Sequence, residues 1–417
     1  MDVHDGTVAQ WHVGGRYFMY GMSYRNCTEE TSWMPPHYCP GVYAPFGRCG
    51  FREDHGLAIY SSTDLVSWSY EGEGLPMSSR PRGIYFRPKV VFDATSGQFV
   101  LWINLLPSAP AGASWPHRTP LYSYAATITH LVARSSSPVG PFAVVAPSVH
   151  LGVGQAGDFS LLLTAAGAYI AYDAWDNGHA VRVERLNDDL TAARVGAEHT
   201  SGDVSPHDNE APILFERAGW FYLAYGHICC FCAEGGGATL LVARHPLGPW
   251  SATGTDLNPR RRGNCGARIP AQNNHVFVAR TRDGGSEYIF VADLWQSSPD
   301  GLKSHDLQFW APLRFNDTAS PPTIAPLEWI DGFEIDLPDS NSRNGSRGGG
   351  AVDLVAATRV RHNAHACVDS SGIHPQLLWR LALTTGLAVT WCAWLCMAMP
   401  CGCRSGGGAR RRVKLLM

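Results

Sequence analysis

Charge is scarce in this chain. Of its 417 residues only 17% are Asp, Glu, Lys or Arg, and the formal net charge is −3. The body holds one basic run, Arg260-Arg261-Arg262, set among Pro, Gly and Asn. Polyanion binding by counterion release needs a concentrated basic surface, so nucleic acid is not an expected partner. Metal-ligand spacing is wanting too. Cys229, Cys230 and Cys232 follow His227, but adjacent strand residues point to opposite faces and the paired spacing of a zinc knuckle is missing; no metal site is expected. Nor is there a secretory signal at the start, because Met1 to Asp5 is polar and leads directly into the first strand pattern. That start reads as a truncated gene or a removed leader.

What the chain does have is 44 Gly, 28 Pro, 14 Trp and 15 Tyr, a mixture that suits short aromatic strands joined by tight turns. The expected class is all-β. Twelve cysteines are present, of which Cys27, Cys39 and Cys49 share one Pro- and Gly-rich loop. With the acceptor patterns at Asn26, Asn316 and Asn344 they point to a disulfide-forming, glycosylating compartment, in which one of Cys229, Cys230 or Cys232 is a candidate to pair with Cys265.

One hairpin pattern recurs as WHVGGRYFMY, VVFDATSGQFVLWI, LLLTAAGAYIAY, ILFERAGWFYLAY and VFVARTRDGGSEYIFVADLW, with Tyr17, Phe99, Tyr169, Tyr222 and Tyr288 as markers. A second element alternates with it: YSSTDLVSW, VARSSSPVGPF and VARHPLGPW. Each unit offers about four strands, too few to bury both faces alone, so the units must stack. Radial stacking gives a five-bladed β-propeller over residues 1–337.

A polar Gly- and Ser-rich stretch begins at 338, giving a flexible linker over 338–375. Leu381 to Met399 carries no charge and at helical rise would span about 28 Å, close to a hydrocarbon core of about 30 Å. One transmembrane helix is therefore expected within 376–400. The tail 401–417 holds Arg404, Arg410, Arg411, Arg412 and Lys414 and no acid, which places it in the cytoplasm and the propeller on the extracellular or lumenal face.

Propellers gather functional groups where the innermost strands meet at the axis. Asp5 opens the first repeat, Asp158 the third and Glu210 the fourth. Glu210 stands at the entrance of an apolar hairpin, where partial desolvation favours keeping a proton to donate. Convergent carboxyls split one another's affinities for protons, and glycoside hydrolysis with inversion needs such a pair, one acid and one base. Arg87 reads as either a contact to a substrate hydroxyl or an ion-pair partner, Gln272 as either a substrate contact or a plain strand residue. Trp295 suits stacking on a sugar ring or packing in the core.

The HDG before a hairpin, the central GDF, the downstream EAP and YSSTDLVSW together resemble glycoside hydrolase family 43 over roughly residues 2–335. The resemblance implies a five-bladed propeller and inverting hydrolysis of furanosides, xylosides or galactosides. It makes Asp5 the general base, Asp158 the residue that tunes and orients the acid, and Glu210 the general acid. FRPKVVF, PAQNNHVFV and DLW look closest to the galactanase-like branch, in which a glutamine, matched by Gln272, can stand where the base acts. That branch often has Glu where this chain has Phe86. No cofactor is implied; relatives can carry a structural calcium on the axis. The expected partner is a plant-type or cell-surface polysaccharide or oligosaccharide, with exo-β-1,3-galactanase-like hydrolysis among the options. An arabinofuranosidase or xylosidase of the same family and a non-catalytic glycan-binding propeller are the alternatives.

Overall fold

The computed structural model describes residues 1–25, 55–107, 128–149, 151–228, 231–260, 266–338 and 413–416. Strands β1 (His4–Gln10), β2 (Tyr17–Ser23), β3 (Gly56–Ser62) and β4 (Ser69–Glu73) form the first antiparallel sheet. The second contains β5 (Gly83–Asp93), β6 (Gln98–Pro107), β7 (Thr129–Ser135) and β8 (Ala143–Val149). The third is β9 (Ala156–Thr164), β10 (Gly167–Ala174), β11 (Ala180–Arg185) and β12 (Thr200–Asp203). The fourth is β13 (Asn209–Arg217), β14 (Trp220–His227), β15 (Thr239–Ala243) and β16 (Ser251–Ala252). The fifth has three strands, β17 (Gln272–Arg280), β18 (Ser286–Leu294) and β19 (Leu307–Pro312). Each sheet runs in simple sequence order, so every connection within it is a hairpin.

The first strands β1, β5, β9, β13 and β17 lie side by side around the axis, and β17 returns to β1. The ring closes with Asp5 N–H donating to Asp293 Oδ2 at 2.8 Å and Gln308 Nε2 donating to the Val3 carbonyl at 2.9 Å. This is the five-bladed propeller expected from the repeats. All five aromatic markers fall on the second strand of their blades, and the alternating element supplies the third strand and the turn after it.

Period-two alternation explains why blades of this kind cannot stand alone. On β2, Phe18, Tyr20 and Met22 pack toward the second blade, while Tyr17 and Met19 pack toward the fifth. On β10, Ile170 and Tyr172 face the second blade and Tyr169 and Ala171 the fourth. On β18, Phe290 and Ala292 face the fourth blade and Ile289 and Val291 the first. Five interblade cores result, each built from alternate residues of two neighbouring sheets. Apolar burial between blades is thus the main stabilising term.

After the fifth blade come two short strand pairs. β20 (Phe315–Asn316) pairs with β21 (Thr323–Ile324), and β22 (Gly332–Ile335) pairs with β23 (Val413–Leu416). Among the described residues no helix is long and apolar enough to cross a membrane. The expected span within 376–400 and nearly all of the linker lie outside the described residues.

Candidate active site

Every first strand carries one extra residue near its start. Asp5-Gly6 of β1 stand opposite Gly21 alone, because His4 pairs with Met22 and Thr7 with Tyr20. The same count recurs between Phe86 and Lys89 of β5, between Ala156 and Phe159 of β9 and between Glu210 and Ile213 of β13, and on β17 Asn274 is the one extra residue, between Asn273 and His275. A β-bulge bends its strand and re-aims a side chain. Here five of them ring one end of the axis, with left-handed φ at Asp5 (61°), Arg87 (52°) and Ala211 (53°). Pro88 and Pro212 sit inside two of these bulges, where no ladder hydrogen bond is lost. At Gly6 the fit is absolute, since a Cβ would lie 1.8 Å from the Tyr20 carbonyl oxygen.

The bulges bring Asp5, Arg87, Asp158, Glu210 and Gln272 to the same end of the propeller from five different blades, all buried. Arg87 Nε pairs with Asp158 Oδ1 at 2.7 Å, and its Nη1 donates to the Asn273 carbonyl at 2.8 Å and to Asn274 Oδ1 at 3.2 Å. Burial works against the guanidinium, but Asp158, Asp5 and Glu210 around it outweigh that and raise its pKa. Of the two readings of Arg87, the ion pair is present. Its Nη2 is buried without a protein hydrogen bond.

Gln272 Nε2 donates to Glu210 Oε1 at 2.7 Å, and Trp295 Nε1 donates to Gln272 Oε1 at 2.8 Å. The amide of Gln272 is therefore fixed in orientation from both ends. The ring of Trp295 is 1% exposed, packed among His4, Tyr24 and Phe231 with the Lys303 ammonium 4.3 Å from its centroid. Of the two readings of Trp295, core packing is the one seen, and the side chain reaches the site through its N–H.

Asp5 accepts a hydrogen bond from the Tyr24 hydroxyl at 2.9 Å. Burial pushes its carboxyl up to about 6 even though Arg87 pulls the other way. Behind it, burial opposes the charge of Asp293, but His4, Asn274 and the Asp5 N–H together hold that carboxyl below its usual range. Lys89 completes the floor: its Nζ donates to the carbonyls of Asp5 (3.2 Å), Gly6 (2.9 Å) and Asn274 (3.0 Å). Burial and Arg87 push Lys89 down to about 7, yet three acceptors around one nitrogen need all three ammonium protons, so the charged form is the one this geometry holds. A calcium at this level of the axis would meet that ammonium and the carbonyls it already occupies. The donor set there does not fit one, and among the described residues no group of three or more His, Cys, Asp or Glu could hold a metal ion.

Tyr24, Lys89, Asn274 and Asp293 went unnamed among the residues expected from sequence, although Lys89, Asn274 and Asp293 lie inside the FRPKVVF, PAQNNHVFV and DLW segments singled out there. Asp64 serves its turn, accepting from the N–H groups of Val66 and Ser67.

A family model described as glycosyl hydrolases family 43 matches residues 42–299, more than half of the chain. The chain belongs to that family. Among solved structures, this family 43 chain is similar to the exo-β-1,3-galactanase of Phanerochaete chrysosporium, solved with β-1,3-galactotriose. The identity is 20% and the TM-score 0.55, with 78% of this chain and 63% of that one covered. The exo-β-1,3-galactanase of Clostridium thermocellum gives 20% identity and a TM-score of 0.54 over 76% of this chain and 60% of its own. A family 43 β-1,3-galactosidase solved with galactodeoxynojirimycin gives 21% and 0.55, covering 79% and 95%. The chain thus spans less than two thirds of the two galactanases. At these identities the likeness is one of fold. No curated protein matches the chain.

Proposed function

We propose that this family 43 propeller hydrolyses O-glycosidic bonds with inversion, with a β-1,3-galactan or a related plant-type or cell-surface glycan as its substrate. The observation that carries the reading is the convergence of Asp5, the Arg87–Asp158 pair, Glu210 and Gln272 at one end of the axis. Glu210 is the general acid that protonates the leaving oxygen. Asp158, held by Arg87, orients and tunes the acid. A water on the opposite face of the sugar is activated by Asp5, whose carboxyl burial pushes up to about 6, or held by the oriented amide of Gln272. This chemistry draws on no cofactor. The galactose-type ligands in similar structures support the choice of sugar.

The test is to incubate the purified chain with β-1,3-galactan, arabinan and xylan oligomers and follow the released sugar and its anomer by NMR. Release of galactose with inverted configuration is expected. Release of arabinose or xylose would move the substrate within the family, and binding without release would leave a glycan receptor.

An outward-facing location is supported by Cys232, which is disulfide-bonded, and by the exposed acceptor Asn316. Anchoring by the apolar stretch 376–400 rests on the sequence. The strand pair of Gly332–Ile335 with Val413–Leu416 cannot form if a membrane separates the two, so protease access to the tail in intact vesicles distinguishes the arrangements.

A further inference from the structure

One buried titratable pair beside the site has no part in the roles given above. Asp173, at the end of β10, is 1% exposed, and its Oδ2 meets Nδ1 of His179 at 3.0 Å. His179 opens β11's approach with φ 59°, directly after Gly178 at 63°, and its side chain is 24% exposed. With Nδ1 held by a carboxylate, Nε2 is the nitrogen left to meet a ligand. The backbone pins the pair between the segments that carry Glu210 and Asp158. The Asn209 N–H donates to the His179 carbonyl at 2.9 Å, one residue from Glu210. On the other side Trp175, 5.4 Å from the His179 ring, lies so close to Gly157 that a Cβ there would stand 1.8 Å from its Nε1 and 2.3 Å from Asp173 Oδ1. Gly157 immediately precedes Asp158. Burial disfavours an imidazolium here, but the hydrogen bond and charge of Asp173 outweigh it, with Glu210 and Asp158 adding to the effect, and the His179 pKa is raised.

We propose that His179, oriented by Asp173, binds a hydroxyl of the sugar on the leaving-group side of the scissile bond. This rests on the reading of Glu210 as the general acid. The acid must reach the leaving oxygen, so a donor next to Glu210, on the third blade and away from Asp5 and Gln272 on the first and fifth, lies along the part of the glycan that departs. A histidine locked by a carboxylate donates a charge-assisted hydrogen bond, worth roughly ten- to a hundredfold in affinity. The pair is then a specificity device: it rewards a chain longer than one residue and leaves the terminal sugar to the axial groups.

The experiment compares Glu210→Gln with Glu210→Gln carrying His179→Ala or Asp173→Asn, by calorimetric titration with galactose and with β-1,3-galactotriose. His179→Ala is expected to weaken the trisaccharide by roughly tenfold or more while galactose stays within about twofold, and Asp173→Asn to shift the same way by less. Equal losses on both sugars, or no loss on either, overturn the role given to His179. Cleavage of the trisaccharide by Glu210→Gln as fast as by the parent chain overturns the acid instead, and failure of Glu210→Gln to bind either sugar overturns the galactoside substrate. Melting temperatures of the three proteins separate a binding effect from a folding one.

Discussion

Gln272 and Glu210 share a 2.7 Å hydrogen bond across the boundary between the fifth and fourth blades. The donor is an amide, so it can hold the carboxyl of Glu210 in place without competing for its proton. Glu210→Gln keeps the volume and removes the acid. We expect turnover to fall by about 10²- to 10⁴-fold, the usual contribution of a positioned general acid, with the melting temperature little changed. Normal turnover by this variant would refute the assignment.

Asp5 gives the pH dependence its sign. Its carboxyl is pushed up to about 6 by burial, and a base works only when ionised, so kcat/KM should climb with pH through about 6. Asp5→Asn should be severely slowed and lose that acid limb. Linkage runs in the opposite direction. Between the ordinary 3.8 and about 6 the folded chain keeps a proton that the unfolded chain has released, so the stability contributed by Asp5 is present at acid pH and lost as pH rises through that window. If Asp5→Asn keeps the limb, the base function belongs on the Gln272 side.

Trp295→Phe tests the indole as a positioning group. The ring volume in the core is nearly kept, whereas the 2.8 Å donor to Gln272 is lost. One buried hydrogen bond is worth about 0.5–1.5 kcal/mol. A several-fold drop in kcat with KM nearly unchanged is expected by steady-state kinetics; an unchanged kcat would mean that Gln272 needs no anchor.

Arg87→Ala leaves Asp158 buried and unpaired beside Asp5 and Glu210. Loss of one partner of a buried ion pair costs about 3–5 kcal/mol, measurable as a lower midpoint in urea. Adding Asp158→Asn should restore part of that stability without restoring activity. If the double variant is no more stable than the single one, the pair is not what holds Arg87 in place.

Much of the scaffold was legible because it repeats. Five hairpins with an aromatic at the start of each second strand imply five blades, and the acids heading the first, third and fourth hairpins had to meet at the axis. The supporting groups were harder to see. Asp5 and Asp293 are joined by a hydrogen bond spanning 288 residues of sequence, a contact that exists only because the fifth blade closes on the first. Asp173 did leave a trace: it is an acid within the apolar run AYIAYDAW, and an ionisable group there needs a partner. That the partner is His179 depends on the tight turn through Gly178. Trp295 was legible as important but not as a donor, since nothing in its neighbours along the chain reveals where its N–H points.

The extra residue in each first strand also sets two alternation frames on one strand. Outward of the bulge the side-chain order belongs to the interblade cores; at its mouth a second order, shifted by one, belongs to the axis. Mouth segments can therefore be exchanged or redesigned for another sugar without re-registering the cores, provided the residue count is kept. Removing a single bulge residue such as Gly6 would instead merge the two frames and turn the mouth residues of that blade to the wrong side.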